Sequence, residues 1–396
     1  MNTQKPFLYF DNAATTPLHP KALDAMLPYF TERYGNPSGI YSIGRDAKKA
    51  INQAREQVAT AIGANPTEIF FTGSGTEANN WAIKGVLEAS REKGSHIITT
   101  QIEHHAVIYV CEELEKQAKS GGKPVEVTYL PVDSQGFVSA DDLAAAIRPD
   151  TVLISIMWAN NEIGTIQPIA KFAEIAHKNG VIFHTDAVQA VGHIPVSVQD
   201  SPINLLTISG HKFGAPKGVG ALYIRKGTKI AALLNGGAQE RNRRAGTENV
   251  ASIVGMGAAL EISMTEQESE FVRLTEMRDN LIDRIKTAIP KVTLNGATGK
   301  NRLPNNVNFS FDYIEGESIL LLLDMNNCCA SSGSACSSAS LEPSHVIMAL
   351  GADHEQAHSS IRFSLGRLST YEEIDALMAI LPKFIEQLRA MSPLAE

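Results

Sequence analysis

The feature that most constrains the fold is a regular alternation of short apolar runs with helical stretches between about residues 66 and 225. Strands separated by helices in this way predict a mainly parallel sheet that is covered by helices on both faces. The predicted strands are Ile69–Thr72, His96–Thr100, Val125–Leu130, Val152–Met157, Val181–His184, Leu205–Ile208 and Gly220–Ile224, and the predicted helices among them are Glu77–Glu92, Ala106–Lys119 and Ile169–Lys178.

Two further helices are predicted on the C-terminal side of this region. The stretch from Ser263 to Ile289 has apolar residues at helical spacing, from Phe271 to Ala288, and is expected to connect the sheet to a smaller domain. Thr370 and Glu373 have the spacing of a capping box, which predicts the start of a last amphipathic helix.

Composition excludes several classes of protein. Hydrophobic residues make up 43% and charged residues 20% of the 396 residues, as in an ordinary globular protein. The net charge is −8, which argues against nucleic acid or an anionic membrane surface as the main partner. The apolar runs are too short to span a bilayer, and the first residues have no signal-peptide core. Four cysteines do not suggest a disulfide framework, so we expect a cytoplasmic protein with reduced thiols.

Polar and reactive side chains follow five of the predicted strands. Ligands of open α/β sheets bind at the carboxyl ends of the strands, so these side chains are expected to share one crevice. The groups, in chain order, are Gly73–Glu77; His104 and His105; Asn160, Asn161 and Glu162; His184, Asp186 and Gln189; and Ser209, Gly210, His211 and Lys212.

Each of these residues also has an ordinary interpretation when it is taken alone. The Gly73–Thr76 stretch is a common strand-to-helix turn, His104 and Asp186 are suited to capping helices, and Lys212 is suited to the surface. The combination is more specific. A lysine near a phosphate cradle, with an upstream aspartate on a neighbouring strand end, fits a Schiff-base cofactor whose pyridinium nitrogen needs a carboxylate partner.

Nine segments then carry a resemblance over nearly the whole chain. They are Tyr9–Thr16, Gly35–Ser38, Gly73–Asn80, Ala159–Gly164, Thr185–Gln189, Ser209–Lys212, Arg244–Asn249, Ser331–Cys336 and Ser360–Ser364. With them the sequence resembles the cysteine desulfurases of the NifS/IscS group, within the fold-type I pyridoxal-phosphate enzymes. The resemblance implies a large cofactor-binding domain of residues 17–262 and a smaller α+β domain of residues 1–16 and 263–396.

The resemblance also implies roles for the cofactor site. Lys212 is expected to carry pyridoxal 5'-phosphate and to move the α-proton of the substrate, while His104 stacks on the ring and takes part in proton transfer. Asp186 matches the partner of the pyridinium nitrogen, and Gln189 matches the donor to the ring oxygen. The expected phosphate ligands are Gly75, Thr76, Ser209 and His211, together with Thr247, which the family supplies from a second subunit and which therefore implies a homodimer.

For the substrate, the resemblance implies conversion of L-cysteine to L-alanine. Asn161 and Arg362 match the clamp on the substrate carboxylate; the ordinary alternative for Arg362 is a surface ion pair. Cys336 matches the thiolate that takes the sulfur as a persulfide for delivery to an acceptor. It lies in the small, polar stretch Ser331–Ser338, which predicts a loop, and Pro343 is expected in the first turn of a helix that reaches Leu350 and is capped by Gly351.

Several alternatives stay open. An aminotransferase needs no thiol, so Cys336 counts against it. The presence of Lys212, Asp186, His104 and Cys336 together counts against a catalytically idle relative. A selenocysteine lyase stays open, with selenocysteine as an alternative substrate. Three sulfur acceptors stay open: a nitrogenase-type assembly protein, a housekeeping iron–sulfur scaffold and a tRNA thiolation protein. The sequence slightly favours the nitrogenase type. His105 has no assigned role, no metal site is expected, and Cys328 and Cys329 are interpreted as apolar residues at a strand end.

Overall fold

The computed structural model describes residues 7–332 and 342–393. Beyond a short first strand β1 (Leu8–Tyr9), a seven-stranded sheet forms the centre of the molecule. Its strands are β2 (Ile69–Thr72), β3 (His96–Thr100), β4 (Glu126–Leu130), β5 (Thr151–Ser155), β6 (Ile182–Asp186), β7 (Leu205–Ser209) and β8 (Gly220–Ile224). Their spatial order is β2-β8-β7-β6-β5-β3-β4. β8 is antiparallel to both of its neighbours and the other pairs are parallel, which confirms the mainly parallel α/β sheet.

Helices cover both faces of this sheet. Ile98 and Leu206 belong to one hydrophobic cluster, whereas the preceding residues Ile97 and Leu205 belong to a second cluster on the other face. This alternation is that of a strand buried on both sides. The helices of the described residues, in both parts of the molecule, are α1 (Pro20–Met26), α2 (Pro28–Thr31), α3 (Ser42–Ala61), α4 (Gly75–Ala89), α5 (His105–Lys119), α6 (Ala140–Ala146), α7 (Ile169–Lys178), α8 (Gln239–Asn242, a short turn with left-handed residues), α9 (Val250–Ala288), α10 (Gly316–Asp324), α11 (His345–Ala349), α12 (His354–His358) and α13 (Tyr371–Met391).

A second, smaller sheet has its own core. It consists of β9 (Val292–Leu294), β10 (Asn306–Phe311) and β12 (Ser360–Ser364) in the antiparallel order β12-β10-β9. Beside it, β1 pairs in parallel with β11 (Cys328–Cys329). Phe10, Phe309 and Phe363 lie in the cluster under this sheet, together with residues of α9 and α13. These separate cores support the predicted division into residues 17–262 and the remainder, which stays a proposal.

The predicted strands are confirmed to within two residues at each end, and the capping box of Thr370 and Glu373 begins α13 as predicted. The predicted start of the long helix was wrong, because α9 begins at Val250 and not at Ser263. Its first turns pack through glycines: a Cβ on Gly255 would lie 2.5 Å from the Met26 sulfur, and one on Gly257 would lie 2.8 Å from the Ala54 Cα. Because small residues pack closely there, the first turns of α9 lack the pattern of large apolar residues by which an amphipathic helix is predicted.

The helix after residue 341 also differs from the prediction. Pro343 precedes α11 and is not in its first turn, because Ser344 is the N-cap and its Oγ accepts a hydrogen bond from the Ile347 N–H at 3.2 Å. Gly351 follows the helix with φ +91°, which agrees with the predicted cap. Cys328 is buried and Cys329 is partly buried in β11, which confirms their interpretation as strand residues.

Candidate active site

A cavity of about 320 Å³ lies at the carboxyl ends of β2, β3, β5, β6 and β7. The predicted convergence of five strand ends is therefore confirmed. The volume is in the range of small-ligand pockets. Of the predicted site residues, those that line the cavity are Gly75, Thr76, His104, Asn161, Asp186, Gln189, Ser209, His211, Lys212 and Arg362. Thr247 is exposed and does not line it, and Cys336 lies outside the described residues.

One end of the cavity is suited to a phosphate group. α4 begins at Gly75, directly after β2, with its first N–H groups at the cavity. A Cβ on Gly75 would lie 3.0 Å from both Ser209 Cβ and Val188 Cγ2, so a larger residue would displace the cradle. Burial lowers the pKa of His211 to about 4, so its imidazole is neutral and hydrogen-bonds through Nδ1 to Thr15 Oγ1 at 3.2 Å. This end offers an anion backbone N–H groups, hydroxyl groups and an imidazole.

Lys212 lines the cavity and lies in the turn that follows β7. Its Nζ donates hydrogen bonds to the carbonyl oxygens of Ala13 at 2.7 Å and Ala14 at 2.8 Å. The lysine backbone is also held, because the ring Nε2 of the partly buried His193 contacts the Lys212 carbonyl oxygen at 3.0 Å. An amine is thus presented to the cavity by a chain segment that is fixed on both sides.

Asp186 ends β6 and is 5% exposed. Its Oδ2 accepts a hydrogen bond from Asn79 Nδ2 at 2.6 Å and its Oδ1 accepts one from the Val188 N–H at 2.9 Å. Asn79 was not predicted as a site residue. It lies one helical turn after Gly75 on α4, and this i, i+4 spacing from the phosphate turn is the signal that could have identified it.

His104 both caps a helix and lines the cavity. It is the N-cap of α5, with Nδ1 accepting a hydrogen bond from the Ala106 N–H at 3.0 Å. In the neutral ring the proton is therefore on Nε2. Burial is the main cause that lowers the pKa of His104, and Lys212 and Arg362 act in the same direction against Asp186. The ring lines the cavity, so a neutral imidazole with a fixed tautomer is available there.

Arg362 extends into the cavity from the smaller sheet. It is 2% exposed, so the surface ion pair considered from the sequence is wrong. One terminal nitrogen donates to Asp11 Oδ1 and the other donates to the carbonyl oxygen of Asn161, both at 2.9 Å. Arg362 Nε and Asn161 Oδ1 are buried without a hydrogen-bond partner in the described part of the chain. A donor and an acceptor at one place in the cavity are suited to a ligand that carries both kinds of group.

Two residues near His104 were missed. His345 lines the cavity, and its Nε2 contacts the Glu103 carbonyl oxygen at 2.9 Å. The ring of His345 lies 4.8 Å from that of His105, which in turn stacks on Tyr109 at 4.5 Å. Glu103 is fully buried, and burial raises the pKa of its carboxyl to about 8, so it is largely protonated at neutral pH. No local pattern marks a carboxyl of this kind, because one of its hydrogen bonds comes from the Met157 N–H, which is distant in the sequence.

Ser331 and Ser344 are described residues on either side of the segment that carries Cys336. Before it, the backbone N–H of Arg362 donates to the Ser331 carbonyl oxygen at 2.6 Å. After it, Ser344 Oγ donates to Glu162 Oε2 at 2.5 Å, and Glu162 adjoins Asn161. Both flanks therefore contact residues at the Arg362 side of the cavity.

The cavity also fits pyridoxal phosphate by the chemistry of its groups. It combines an anion cradle, an amine on Lys212 and a buried carboxylate on Asp186, and Gln189 lies beside them with its Nε2 donating to the Ala13 carbonyl oxygen at 3.0 Å. Asn79 Oδ1 and Thr185 Oγ1 are buried near Asp186 without a partner among the described residues. Within residues 7–332 and 342–393 there is no cluster of His, Cys, Asp and Glu that could hold a metal ion, and no helix long and apolar enough to cross a membrane.

Comparison with known proteins first defines the class. The model of the class-V aminotransferase family matches residues 8–377. The chain belongs to this family, whose members depend on pyridoxal phosphate.

Sequence relatives then define the group within the class. The chain is 56% identical over 394 residues to "Cysteine desulfurase IscS" of Methanosarcina thermophila, covering 100% of this chain and 96% of the relative. It is 50% identical to "Cysteine desulfurase" of Nostoc sp., covering 98% and 94%. The chain is thus a member of the cysteine desulfurase group of this family.

Solved structures agree with this assignment. A NifS-like protein superposes with a TM-score of 0.89 at 37% identity, covering 97% of this chain and all of the other. The structure of SspA in complex with cysteine superposes with a TM-score of 0.77 at 36% identity, covering 90% and 98%. These likenesses confirm the predicted fold-type I architecture and the NifS/IscS resemblance.

Proposed function

We propose that this chain is a pyridoxal-phosphate-dependent cysteine desulfurase, which converts L-cysteine to L-alanine and transfers the sulfur to Cys336. The observation that carries the proposal is the meeting of Lys212, the Asp186–Asn79 pair, the phosphate cradle and Arg362 in one cavity. The names of the relatives and the cysteine complex of SspA support the same substrate.

When bound, pyridoxal phosphate supplies an electron sink for negative charge at the α-carbon of the substrate. Asp186 would keep the ring nitrogen protonated; Asn79 and the Val188 N–H hold that carboxylate in place. Gly75, Thr76, Ser209 and His211 would hold the phosphate, and Gln189 would donate to the ring oxygen. Lys212 would hold the cofactor covalently and move the α-proton, with His104 against the ring as the second proton-transfer group.

Arg362 and Asn161 would bind the carboxylate of cysteine. The Nε–H of Arg362 and its neighbouring terminal nitrogen form a planar fork that suits a carboxylate, and Asn161 keeps Arg362 in place through its carbonyl oxygen. The clamp therefore fixes the end of the substrate remote from the sulfur, which sets the direction in which the thiol group points.

Cys336 would complete the reaction. Its thiolate attacks the substrate sulfur, a sulfur–sulfur bond forms and the carbon–sulfur bond breaks, so that cysteine and the enzyme thiol become alanine and an enzyme persulfide. Cys111 and Cys328 are poor alternatives, because burial raises the pKa of each thiol to about 12. Ser331 and Ser344, on either side of the Cys336 segment, both contact the Arg362 side of the cavity, which supports delivery of the thiol from that side.

The proposed assembly is a homodimer with shared sites, in which Thr247 of each subunit completes the phosphate site of its partner. Thr247 is exposed and lies outside the cavity of its own chain. Apolar side chains are also exposed in the neighbouring N-terminal segment, among them Phe30, Tyr34 and Ile40. That segment leads into α3, whose Lys48 pairs with Glu248 at 3.2 Å. An apolar surface next to Thr247 supports contact with a second copy.

We further propose a cytoplasmic enzyme that passes persulfide sulfur to an iron–sulfur scaffold or another acceptor protein. The name IscS of the archaeal relative supports the iron–sulfur path. Selenocysteine lyase activity is the second candidate, since the same cavity would accept selenium in place of sulfur. Trapping acceptors on Cys336 as mixed disulfides would identify the path.

The reaction is tested with the purified protein loaded with pyridoxal phosphate. Cysteine should give alanine in amounts that match the sulfide released in the presence of a reducing thiol, without any keto acid. Formation of alanine only when a keto acid is supplied would indicate an aminotransferase and contradict the proposal. Parallel assays with selenocysteine distinguish the second candidate by its kcat/KM.

A further inference from the structure

A half-buried ion pair connects two segments that the sequence keeps far apart. Arg244 Nε donates to Glu77 Oε1 at 2.7 Å, and its terminal nitrogen donates to Glu77 Oε2 at 3.1 Å. Each side chain is 20% exposed. This two-point contact fixes both distance and orientation between the segments, which a single-point contact would not do.

The Glu77 end of the pair belongs to the phosphate cradle. Glu77 Oε2 also accepts a hydrogen bond from the Gly73 N–H at 2.8 Å, and the Glu77 N–H donates to Ser74 Oγ at 3.1 Å. A Cβ on Gly73 would lie 2.8 Å from the same carboxylate oxygen. The turn that precedes Gly75 and Thr76 is therefore built directly against the Glu77 carboxylate.

The Arg244 end belongs to the segment that carries Thr247. Between them Gly246 has φ +110°, a conformation that L-residues rarely adopt, and Glu248 beyond is held by Lys48. Upstream, the buried Glu240 forms a two-point pair with Arg55 at 2.6 and 2.7 Å. Thr247 thus lies on a short connection between fixed points, although it makes no contribution to the cavity of its own chain.

Glu240 is also hydrogen-bonded to β2, the strand that precedes the phosphate cradle. Its Oε2 accepts a hydrogen bond from the Phe71 N–H at 3.0 Å, in β2, which ends at the cradle. Glu240, Arg241 and the following Asn242 all have positive φ values, of 45°, 58° and 63°. Three consecutive left-handed residues without glycine are costly, so the polar anchors hold this segment in a shape that it would not adopt alone.

We propose that the Glu77–Arg244 pair couples the phosphate cradle of each subunit to the Thr247 segment that the same subunit offers to its partner. The inference rests on the proposed function, because it requires the shared site. The pair holds the turn at Gly73 in the cradle of its own subunit and, through Arg244, positions Thr247 for the phosphate of the partner. Loss of the pair therefore weakens cofactor binding in both sites.

Mixed dimers test this coupling. In the first arrangement a Lys212→Ala, Arg244→Gln subunit is paired with a wild-type subunit, whose lysine then holds cofactor beside a Thr247 from the altered chain. In the second, a Lys212→Ala subunit is paired with an Arg244→Gln subunit, so the altered residue lies next to the occupied cradle. The readout is the rate at which the visible cofactor band decays after dilution into buffer that contains no cofactor.

The expected result is decay that is about fivefold faster in both arrangements than in a Lys212→Ala and wild-type hybrid. Arg243→Gln is the matched control, because it removes the same charge one residue away. A defect in only one arrangement, or an equal defect with Arg243→Gln, would overturn the coupling. Arg244→Lys, which keeps the charge but loses the planar fork, should give an intermediate rate and serves if Arg244→Gln does not fold.

A further hybrid separates this inference from the function on which it rests. A Lys212→Ala, Thr247→Ala subunit is paired with wild type, and faster decay is expected. No change there would contradict the shared site itself. Faster decay with Thr247→Ala but not with Arg244→Gln would leave the shared site intact and overturn only the coupling by the ion pair.

Discussion

The two sides of the cavity are built in different ways. We call the side formed by the ends of β2, β3, β5, β6 and β7 the strand-end wall, and the side formed by Ala13, Ala14, His345 and Arg362 the terminal wall. Sheet register positions the strand-end wall. The terminal wall comes from residues near the two ends of the chain and is joined to the other wall by polar contacts to carbonyl oxygens, such as those from Lys212 Nζ to Ala13 and Ala14.

Because of this difference, we expect one wall to serve mainly the cofactor and the other mainly the substrate. The proposed cofactor ligands lie mainly in the strand-end wall, where a buried sheet resists displacement. Arg362 of the proposed carboxylate clamp and both flanks of the Cys336 segment lie at the terminal wall, where Arg362 contacts Asn161 of the strand-end wall. Substitutions in the strand-end wall should therefore abolish cofactor chemistry, whereas those in the terminal wall should mainly weaken substrate binding.

Lys212→Ala should have the largest effect, because it removes the covalent attachment of the cofactor and the two hydrogen bonds from Lys212 to the terminal wall. The visible cofactor band and essentially all turnover should disappear, as measured by absorbance and by alanine formation. Lys217→Ala is the matched control, since Lys217 is exposed in the same segment. Retention of both the band and turnover would show that another residue holds the cofactor.

Asp186→Asn should keep the fold but lower kcat by about 100-fold or more, because a neutral partner no longer holds the proton on the ring nitrogen. Asn79 Nδ2 and the Val188 N–H donate to different oxygens of Asp186, so the single oxygen of the new side chain can keep one of these hydrogen bonds. Rapid mixing with cysteine should show a suppressed transient absorbance. An undiminished transient would assign a different role to Asp186.

Arg362→Lys tests the terminal wall. A lysine keeps the charge but loses the fork, so kcat/KM for cysteine should fall by about 30-fold, mostly through KM. The visible band should persist. Arg367→Lys, at an exposed position nearby, should behave like wild type. A loss of kcat without a change in KM would mean that the two walls are not separated in function as described.

His184→Gln should have the smallest effect, a change in how the unfolding free energy depends on pH. His184 is buried between Ser155 and Thr207, and burial lowers its pKa from 6.5 to about 3. The unfolded chain therefore binds a proton that the folded chain does not, so the contribution of His184 is fully present above pH 6.5 and is lost as the pH falls. Between pH 7 and pH 5 the wild type should lose about 2 kcal/mol of unfolding free energy more than the variant does.

Urea unfolding at the two pH values measures this difference. Glu103 acts with the opposite sign, because its raised pKa costs stability as the pH rises from 4.5 towards 8. It is present in both proteins and cancels in the comparison. Equal pH dependence of the wild type and the variant would show that His184 is not held neutral in the fold.

The strand-end wall could be predicted from the sequence, and the terminal wall largely could not. Apolar runs locate β3 and β8 to the residue, and strand ends carry Asp186 and Lys212 to one edge. His345 and the partners of Arg362 depend on contacts across hundreds of residues, which leave no local pattern. Arg362 itself was identified by resemblance. Its burial, which distinguishes its pair with Asp11 from a surface ion pair, could not be predicted.

Mass spectrometry of the cofactor-loaded enzyme after reaction with cysteine shows directly whether Cys336 receives the sulfur. The peptide that carries Cys336 should gain one sulfur, about 32 Da, because the thiolate forms a covalent intermediate. Cys336→Ser should still bind the cofactor and react spectrally with cysteine, but should release almost no sulfide. Sulfur on Cys111, Cys328 or Cys329 instead, or full sulfide release by the serine variant, would contradict the account.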